Sequence, residues 1–379
     1  MKIAAVIPTC DRPDLLQRAL RSVAEQRVPV DEIIVVNDGA CEVDAPDARV
    51  LRCGPYAGPA AARNAGVWAT NADALCFLDD DDTWSPSHVA VASDLLVDHD
   101  VVATAITQLN RRGGSTLRTP PPELVRSDWL TENRGIQGSN LCVRRPAFAA
   151  LHGFDEVMWC GEDVDFMIRA AGPALRYRAS VIPTVQWYRH EGPRITDPDP
   201  RHAHAHRTFL SAHGSCMTPD QVAAYRARTI RLFGVDPGPV PRLVWVLGPP
   251  GAGKTTWSMG RAGERDRVMD FSEVMPWLDG ADLGVRTAKR HLASAIRAVE
   301  CQRPEGARRL FVSTAYFDPE DLGPAAPFEH IVCVVPSAER WGDQLARRDG
   351  QVDPRHASEY RRWASRFGTG ARAAQGGAT

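Results

Sequence analysis

Leu243-Val244-Trp245-Val246-Leu247 runs directly into Gly248-Pro249-Pro250-Gly251-Ala252-Gly253-Lys254-Thr255. The five apolar residues read as a buried strand. The next eight fit G-x-x-x-x-G-K-[ST] at every fixed position, and a helix-compatible stretch follows. Strand, glycine-rich loop and helix together aim successive backbone N–H groups at phosphate. In that reading Gly248, Gly251 and Gly253 shape the loop and Lys254 reaches the β- and γ-phosphates. Thr255 holds Mg²⁺ through its hydroxyl, and Thr256 completes the ATP-binding set. A glycine-rich turn with a chance lysine is the plainer alternative. Because the motif begins at residue 248, a domain's length of chain lies upstream and needs its own explanation.

A chain of 379 residues is long enough for two domains, each with a core of ordinary size. Its 44% hydrophobic and 24% charged residues are those of a soluble globular protein. A net charge of −2 carries no global nucleic-acid footprint. No apolar run approaches a membrane span. The start, Met1-Lys2-Ile3-Ala4-Ala5-Val6-Ile7-Pro8, reads as a short strand rather than a signal peptide, since polar Thr9-Cys10-Asp11-Arg12 follows at once. The nine cysteines are scattered, form no C-x-x-C pair, and include Cys76, Cys142 and Cys333 inside apolar runs. They imply free thiols in a reducing, cytoplasmic compartment. His202, His204, His206 and His213 form a patch with no interleaved cysteine or acid. It reads as an exposed helix in a polar segment, with a metal site as the alternative.

Strand-like runs at residues 2–7, 32–36, 49–52, 74–78 and 101–106 alternate with helical stretches. Leu15, Leu16, Ala19, Leu20 and Val23 recur at helical spacing behind Pro13, and residues 58–70 are Ala-rich. This alternation predicts an α/β layer with a mostly parallel sheet. Residues 113–122 and 189–200 read as loops, residues 208–231 as one helix, and residues 236–241 as a linker. A second α/β unit follows, with strands at 243–247, 267–269, 310–312 and 331–335.

Phe77-Leu78 runs straight into Asp79-Asp80-Asp81-Asp82. Adjacent carboxylates repel unless solvated or bound to a cation. At a strand's carboxyl end they mark either an acidic turn capping the next helix or a place for a hard divalent metal and phosphates. Other segments accompany them in a fixed order: Ile7-Pro8-Thr9-Cys10-Asp11-Arg12, Val35-Val36-Asn37-Asp38-Gly39, Arg63-Asn64-Ala65-Gly66, Gly153-Phe154-Asp155-Glu156, Gly161-Glu162-Asp163-Val164-Asp165 and Trp187-Tyr188-Arg189-His190. Taken together, residues 1–195 resemble the inverting family 2 glycosyltransferases of the GT-A fold. The resemblance implies that Thr9, Asp11 and Asp38 hold the donor's nucleoside, with Arg63 and Asp79 beside them. It implies that Asp79 and Asp81 form a D-x-D pair for Mn²⁺ or Mg²⁺, joined by a late loop carrying His190 and Arg194. Asp163 would be the catalytic base and Glu162 would position the acceptor. The chain departs from the family pattern in having Asp11 for Asn and Asn37 for Asp.

Beyond the phosphate loop, Val268-Met269-Asp270 ends a strand in an acid, and the segment from Arg340 to Arg362 is basic. Residues 241–368 resemble small P-loop kinases. That resemblance implies Asp270 as the acid facing the acceptor hydroxyl, and Arg340, Arg347 and Arg348 as lid arginines on the transferring phosphate. The strand at 310–312 runs into Ser313-Thr314, where many such enzymes carry an acid. A helix cap for Asp270 and a solvated cationic helix for the arginines are the plainer readings.

The expected architecture is α/β throughout. A GT-A transferase domain with a Rossmann-like mixed sheet spans 1–213, helix and linker 214–240, a P-loop kinase-like parallel α/β domain 241–368, and a disordered tail 369–379. The expected function is a bifunctional enzyme taking a nucleotide-diphospho sugar and ATP. Its acceptor is left open among glycan, protein, small molecule and nucleic acid. The alternatives are a transferase with a nucleotide-sensing second domain, and a sugar transferase and kinase acting on nucleic acid.

Overall fold

The computed structural model describes residues 1–54, 56–110, 114–172, 174–188, 194–195, 197, 199, 201–264, 266–270, 292–294, 296–297, 300, 309–315, 317, 319–322, 329–336, 341–342, 344–345 and 354–367. The chain divides into two compact units: residues 1–155 with 161–197, and residues 156–160 with 198–379.

The first unit is built on a mixed sheet. Its strands are β1 (Ile3–Thr9), β2 (Glu32–Asn37), β3 (Arg49–Arg52), β4 (Ala74–Phe77), β5 (Asp82–Trp84), β6 (Val101–Leu109), β7 (Ser115–Arg118), β8 (Leu141–Arg144) and β9 (Tyr177–Tyr188). They lie in the order β3-β2-β1-β4-β8-β6-β9-β5, with β7 paired to β6. The pairs among β1 to β4 are parallel, whereas β8 runs antiparallel to both β4 and β6. All seven residues of β1 are buried, as a central parallel strand covered on both faces requires. Helix α1 (Pro13–Ala24) turns Leu16, Ala19 and Val23 into the core, with proline in its first turn. Helix α2 (Pro59–Trp68) follows, then α3 (His88–Leu96), α4 (Arg145–Ala150) and α5 (Glu162–Ala170).

The second unit holds α6 (Arg201–His213), α7 (Pro219–Phe233), β10 (Leu243–Leu247), α8 (Lys254–Met259), β11 (Arg267–Asp270), β12 (Leu310–Thr314), β13 (Glu329–Cys333) and a helix at Pro354–Phe367. Its described strands all pair in parallel, in the order β11-β12-β10-β13. Trp245, Val312, Phe317 and Trp363 lie in its core. The helix expected over 208–231 is two helices. A 3₁₀ turn at Gly214–Cys216 interrupts it, and Thr218 caps α7 by accepting from the Gln221 N–H ahead of Pro219. Helix α6 belongs to this unit and not to the first, where the expected boundary at 213 would have placed it. Arg207 donates to the Glu329 carbonyl, and Thr208 Oγ1 lies 3.1 Å from His330 Nε2.

Gly66, in the middle of α2, lets that helix lie against the sheet. A Cβ there would sit 2.5 Å from Val6 Cγ1 and 3.0 Å from Val36 Cγ2. Gly66→Ala is expected to destabilise the first unit by about 1–3 kcal/mol through overpacking, despite the helix propensity gained. Urea unfolding measures this, and an unchanged midpoint would show that the helix moves freely off the sheet.

Candidate functional site

Strands β1, β2 and β4 end side by side. Thr9 pairs with Asn37 and Val6 with Phe77, so the acidic run leaves β4 next to the end of β1. Carboxyl ends of parallel strands are where such sheets bind ligands. Asp79, Asp80 and Asp81 form the turn, and Asp82 opens β5. The run therefore enters a strand and caps no helix.

The four acids diverge in role. Asp80 is buried, accepts from Thr9 Oγ1 at 2.8 Å, and lies 3.1 Å from Arg12 Nη1. Burial pushes its carboxyl up to about 6. One carboxylate oxygen from each of Asp79, Asp81 and Asp82 falls within 4.8 Å of the other two. Asp82 accepts from Ser139 Oγ at 2.6 Å, and burial followed by the charges of Asp81 and Asp79 raises its pKa well above the carboxylate range. Crowded, partly desolvated carboxylates are an all-oxygen donor set suited to Mg²⁺ or Mn²⁺, whose charge would relieve that repulsion.

Arg63, 3% exposed, joins this turn to α5. Its Nη2 donates to Asp79 Oδ1 at 2.5 Å and its Nη1 to Glu162 Oε1 at 2.7 Å. Burial alone would lower its pKa, but Asp79 and Glu162 outweigh burial and raise it. Gly138 makes room, since a Cβ there would lie 2.4 Å from Arg63 Nη2.

Next to Glu162, Asp163 accepts from the Val164 N–H at 2.7 Å and from Asn133 Nδ2 at 3.3 Å. Burial, then the neighbouring Glu162, pushes its carboxyl up to about 7, a value suited to a general base near neutrality. Asn133 also lines a cleft of about 320 Å³ together with Arg118, Thr119, Glu132 and Arg134.

The nucleoside candidates sit at the ends of β1 and β2. Asp38 accepts from the Ala57 and Gly58 N–H groups, each at 2.7 Å, and burial pushes it up to about 6. Asp11 adopts φ 55° and accepts from the Cys41 N–H at 2.8 Å and Tyr56 OH at 3.0 Å. Gly39 is held to a bare backbone by this turn, as a Cβ would lie 2.4 Å from Asp11 Oδ1. Asn37, where the family pattern has an acid, accepts from the Gly39 N–H and donates to the Cys41 carbonyl, shaping the loop. Burial and then Asp38 push the Cys10 thiol up to about 11, which favours the thiol over the thiolate. His190 lies outside the described residues. Asp82 appears in the sequence only as the fourth acid of the run, and Ser139 and Asn133 are not singled out there; the fold brings Ser139 to Asp82 and Asn133 to Asp163.

In the second unit Gly248, Gly251 and Gly253 have φ of 156°, 74° and 81°, and the last two lie in the left-handed region that favours glycine. Lys254 is buried and donates to the Pro249 carbonyl at 2.8 Å. Thr255 Oγ1 donates to Asp270 Oδ2 at 3.2 Å, so the acid at the end of β11 meets the loop. Thr256 is exposed. Ser313, at the end of β12, has its hydroxyl 3.0 Å from that of Ser258. Arg340, Arg347 and Arg348 lie outside the described residues.

The histidine helix is not exposed as expected: His202, His206 and His213 are buried. Ring packing accounts for it, since His202 stacks on Phe233 at 4.1 Å and His206 meets Tyr225 and Phe233. Among the described residues no helix is long and apolar enough to cross a membrane.

Residues 4–152 match the family model "Glycosyl transferase family 2". The pre-mycofactocin glycosyltransferase of Mycobacterium tuberculosis is 32% identical over 200 residues, covering 46% of this chain and 40% of that protein. The succinoglycan biosynthesis protein ExoU of Rhizobium meliloti is 25% identical over 201 residues, covering 46% of this chain and 58% of that one. The matches thus span about half the length of these relatives. S. aureus TarS 1–349, solved with UDP-GlcNAc, is 17% identical with a TM-score of 0.46 over 62% of this chain and 74% of that one, too loose a likeness to carry an argument. The family match thus lies in the N-terminal part of the chain, where residues 4–152 fit a family 2 glycosyltransferase domain on a mixed α/β sheet.

Proposed function

We propose that the first unit transfers a sugar from a nucleotide-diphospho donor to an acceptor hydroxyl with inversion at the anomeric carbon. The observation that carries this is the placement of Asp163, with a carboxyl near 7, beside a buried Arg63–Glu162–Asp79 network at the edge of a three-acid group. The acceptor enters by the cleft at Arg118 and residues 132–135. Its oxygen attacks the anomeric carbon while its proton passes to Asp163 and the bond to the diphosphate breaks. Glu162, held by Arg63, positions the acceptor. Asp11, Asp38 and Thr9 hold the nucleoside side of the donor, and Arg63 keeps Asp79 oriented.

Asp79, Asp81 and Asp82 would hold Mn²⁺ or Mg²⁺, with His190 from the late loop. When bound, the metal supplies Lewis-acid stabilisation of the leaving diphosphate. Asp163→Asn is expected to lower kcat/KM about 10²–10⁴-fold, and wild-type kcat/KM is expected to rise with pH through about 7 as the base loses its proton. Rates of product formation test both. Full transfer by Asp163→Asn would remove the assignment.

For the second unit we propose an ATP site on the 248–255 loop, with Lys254 on the β- and γ-phosphates and Thr255 and Thr256 beside them. Mg²⁺ would be held at Thr255, and Arg347 would close over the phosphates. Asp270, already bonded to Thr255, is the acid proposed to meet an acceptor hydroxyl, which makes phosphoryl transfer to a related acceptor the reading for this unit. One observation favours nucleotide sensing instead: β12 ends in Ser313-Thr314, with the Ser313 hydroxyl engaged by Ser258. Lys254→Ala is expected to weaken ATP–Mg²⁺ binding about 10–100-fold, the loss of one charged hydrogen bond. Calorimetry measures it, and unchanged affinity would rule the loop out. ADP formation by the wild type separates turnover from sensing.

A further inference from the structure

Helix α6 sets His202 and His206 four residues apart, one turn along the same face. Residues 156–160 belong to the same unit and bring Cys160 to that face. One donor atom from each of Cys160, His202 and His206 lies within 4.8 Å of the other two. Cys160 Sγ is 3.5 Å from His202 Nδ1. A tetrahedral zinc ion, with bonds of about 2.3 Å to sulfur and about 2.05 Å to nitrogen, sets that edge at about 3.6 Å.

His206 supplies an independent observation. Its Nδ1 lies 2.7 Å from Tyr225 OH, so the ring is anchored on one side. Its Nε2 is buried, in a residue only 8% exposed, and has no hydrogen-bond partner among the described residues. A buried, unsatisfied ring nitrogen is costly, and one whose opposite nitrogen is fixed by a hydroxyl has the arrangement of a metal-ligating histidine. The other Cys/His group, Cys76, His88 and Cys142, differs. Both ring nitrogens of His88 have partners, Thr184 Oγ1 at 2.7 Å and Cys142 Sγ at 3.5 Å.

We propose that Cys160, His202 and His206 bind one zinc-class divalent cation, with water as the fourth ligand, and so fasten residues 156–160 to α6. The Cys160 thiol gives its proton to solvent on binding, leaving a thiolate on the metal.

The test uses the full chain, stripped with a chelator and titrated with Co²⁺ as the optical probe. A thiolate-to-cobalt charge-transfer band saturating at one equivalent and displaced by Zn²⁺ is expected. The band should vanish in Cys160→Ser and persist in Cys216→Ser, which alters an exposed cysteine. Tyr225→Phe, removing the hydroxyl behind His206, should weaken binding about 10–100-fold. Wild-type protein alone gives a second readout: Zn²⁺ should protect Cys160 from alkylation, mapped by peptide mass spectrometry. No charge-transfer band, an undiminished band in Cys160→Ser, or alkylation of Cys160 unaffected by Zn²⁺ would each overturn the proposal.

Discussion

The first unit depends on one buried cation. Arg63 rises from α2, a helix pressed so tightly on β1 and β2 that Gly66 has no room for a side chain, and it pairs with an acid from each of two other elements. Desolvating a guanidinium is costly, and two carboxylates in hydrogen-bond contact offset the cost. Removing the arginine would leave Asp79 and Glu162 facing one another with Asp81, Asp82 and Asp163 close by, an uncompensated cluster worth about 3–5 kcal/mol on the scale of broken buried pairs. Burial first, and then crowding by neighbouring acids, raise the proton affinities of Asp82 and Asp163.

Much of this was legible in the chain and some was not, for physical reasons. Asp38, Asp79 and Asp81 stand out in the chain because each follows a strand-like apolar run, and Asp163 because its neighbours follow the family order; their roles are those proposed above. Asp82 is visible only as the fourth acid of the run, and Ser139 and Asn133 do not stand out, since the turn before β8 reaches the acids only once β8 pairs with β4. The two departures from the family pattern are absorbed locally: Asp11 and Asn37 both bond the loop around Gly39 and Cys41. The continuous helix expected over 208–231 fails at Gly214 and at Pro219. A glycine, a capping threonine and a proline within six residues outweigh helical periodicity there. The histidines misled for a different reason. Composition marks them as polar, but Phe233 and Tyr225 from the next helix cover them, and the cysteine beside them comes from more than forty residues earlier.

The second unit shows how a loop motif and its surroundings can carry different weight. Left-handed glycines, a buried lysine and the Thr255–Asp270 bond all suit a phosphate. The strand that would bring the usual second acid ends in hydroxyl residues instead. A single chain thus carries a crowded acidic edge beside the ends of β1 and β4 and, separately, a glycine-rich loop with one buried lysine.

The claim at the centre of this account is that the Arg63-tied acids form the donor and metal site of the first unit. Its most direct test is calorimetric titration of Mn²⁺ with UDP-, GDP-, dTDP- and CMP-sugars into wild type and Asp81→Ala. One donor class should bind in a Mn²⁺-dependent way and lose that dependence in Asp81→Ala. Identical Mn²⁺-dependent binding in the two proteins, or no donor bound at all, would contradict it.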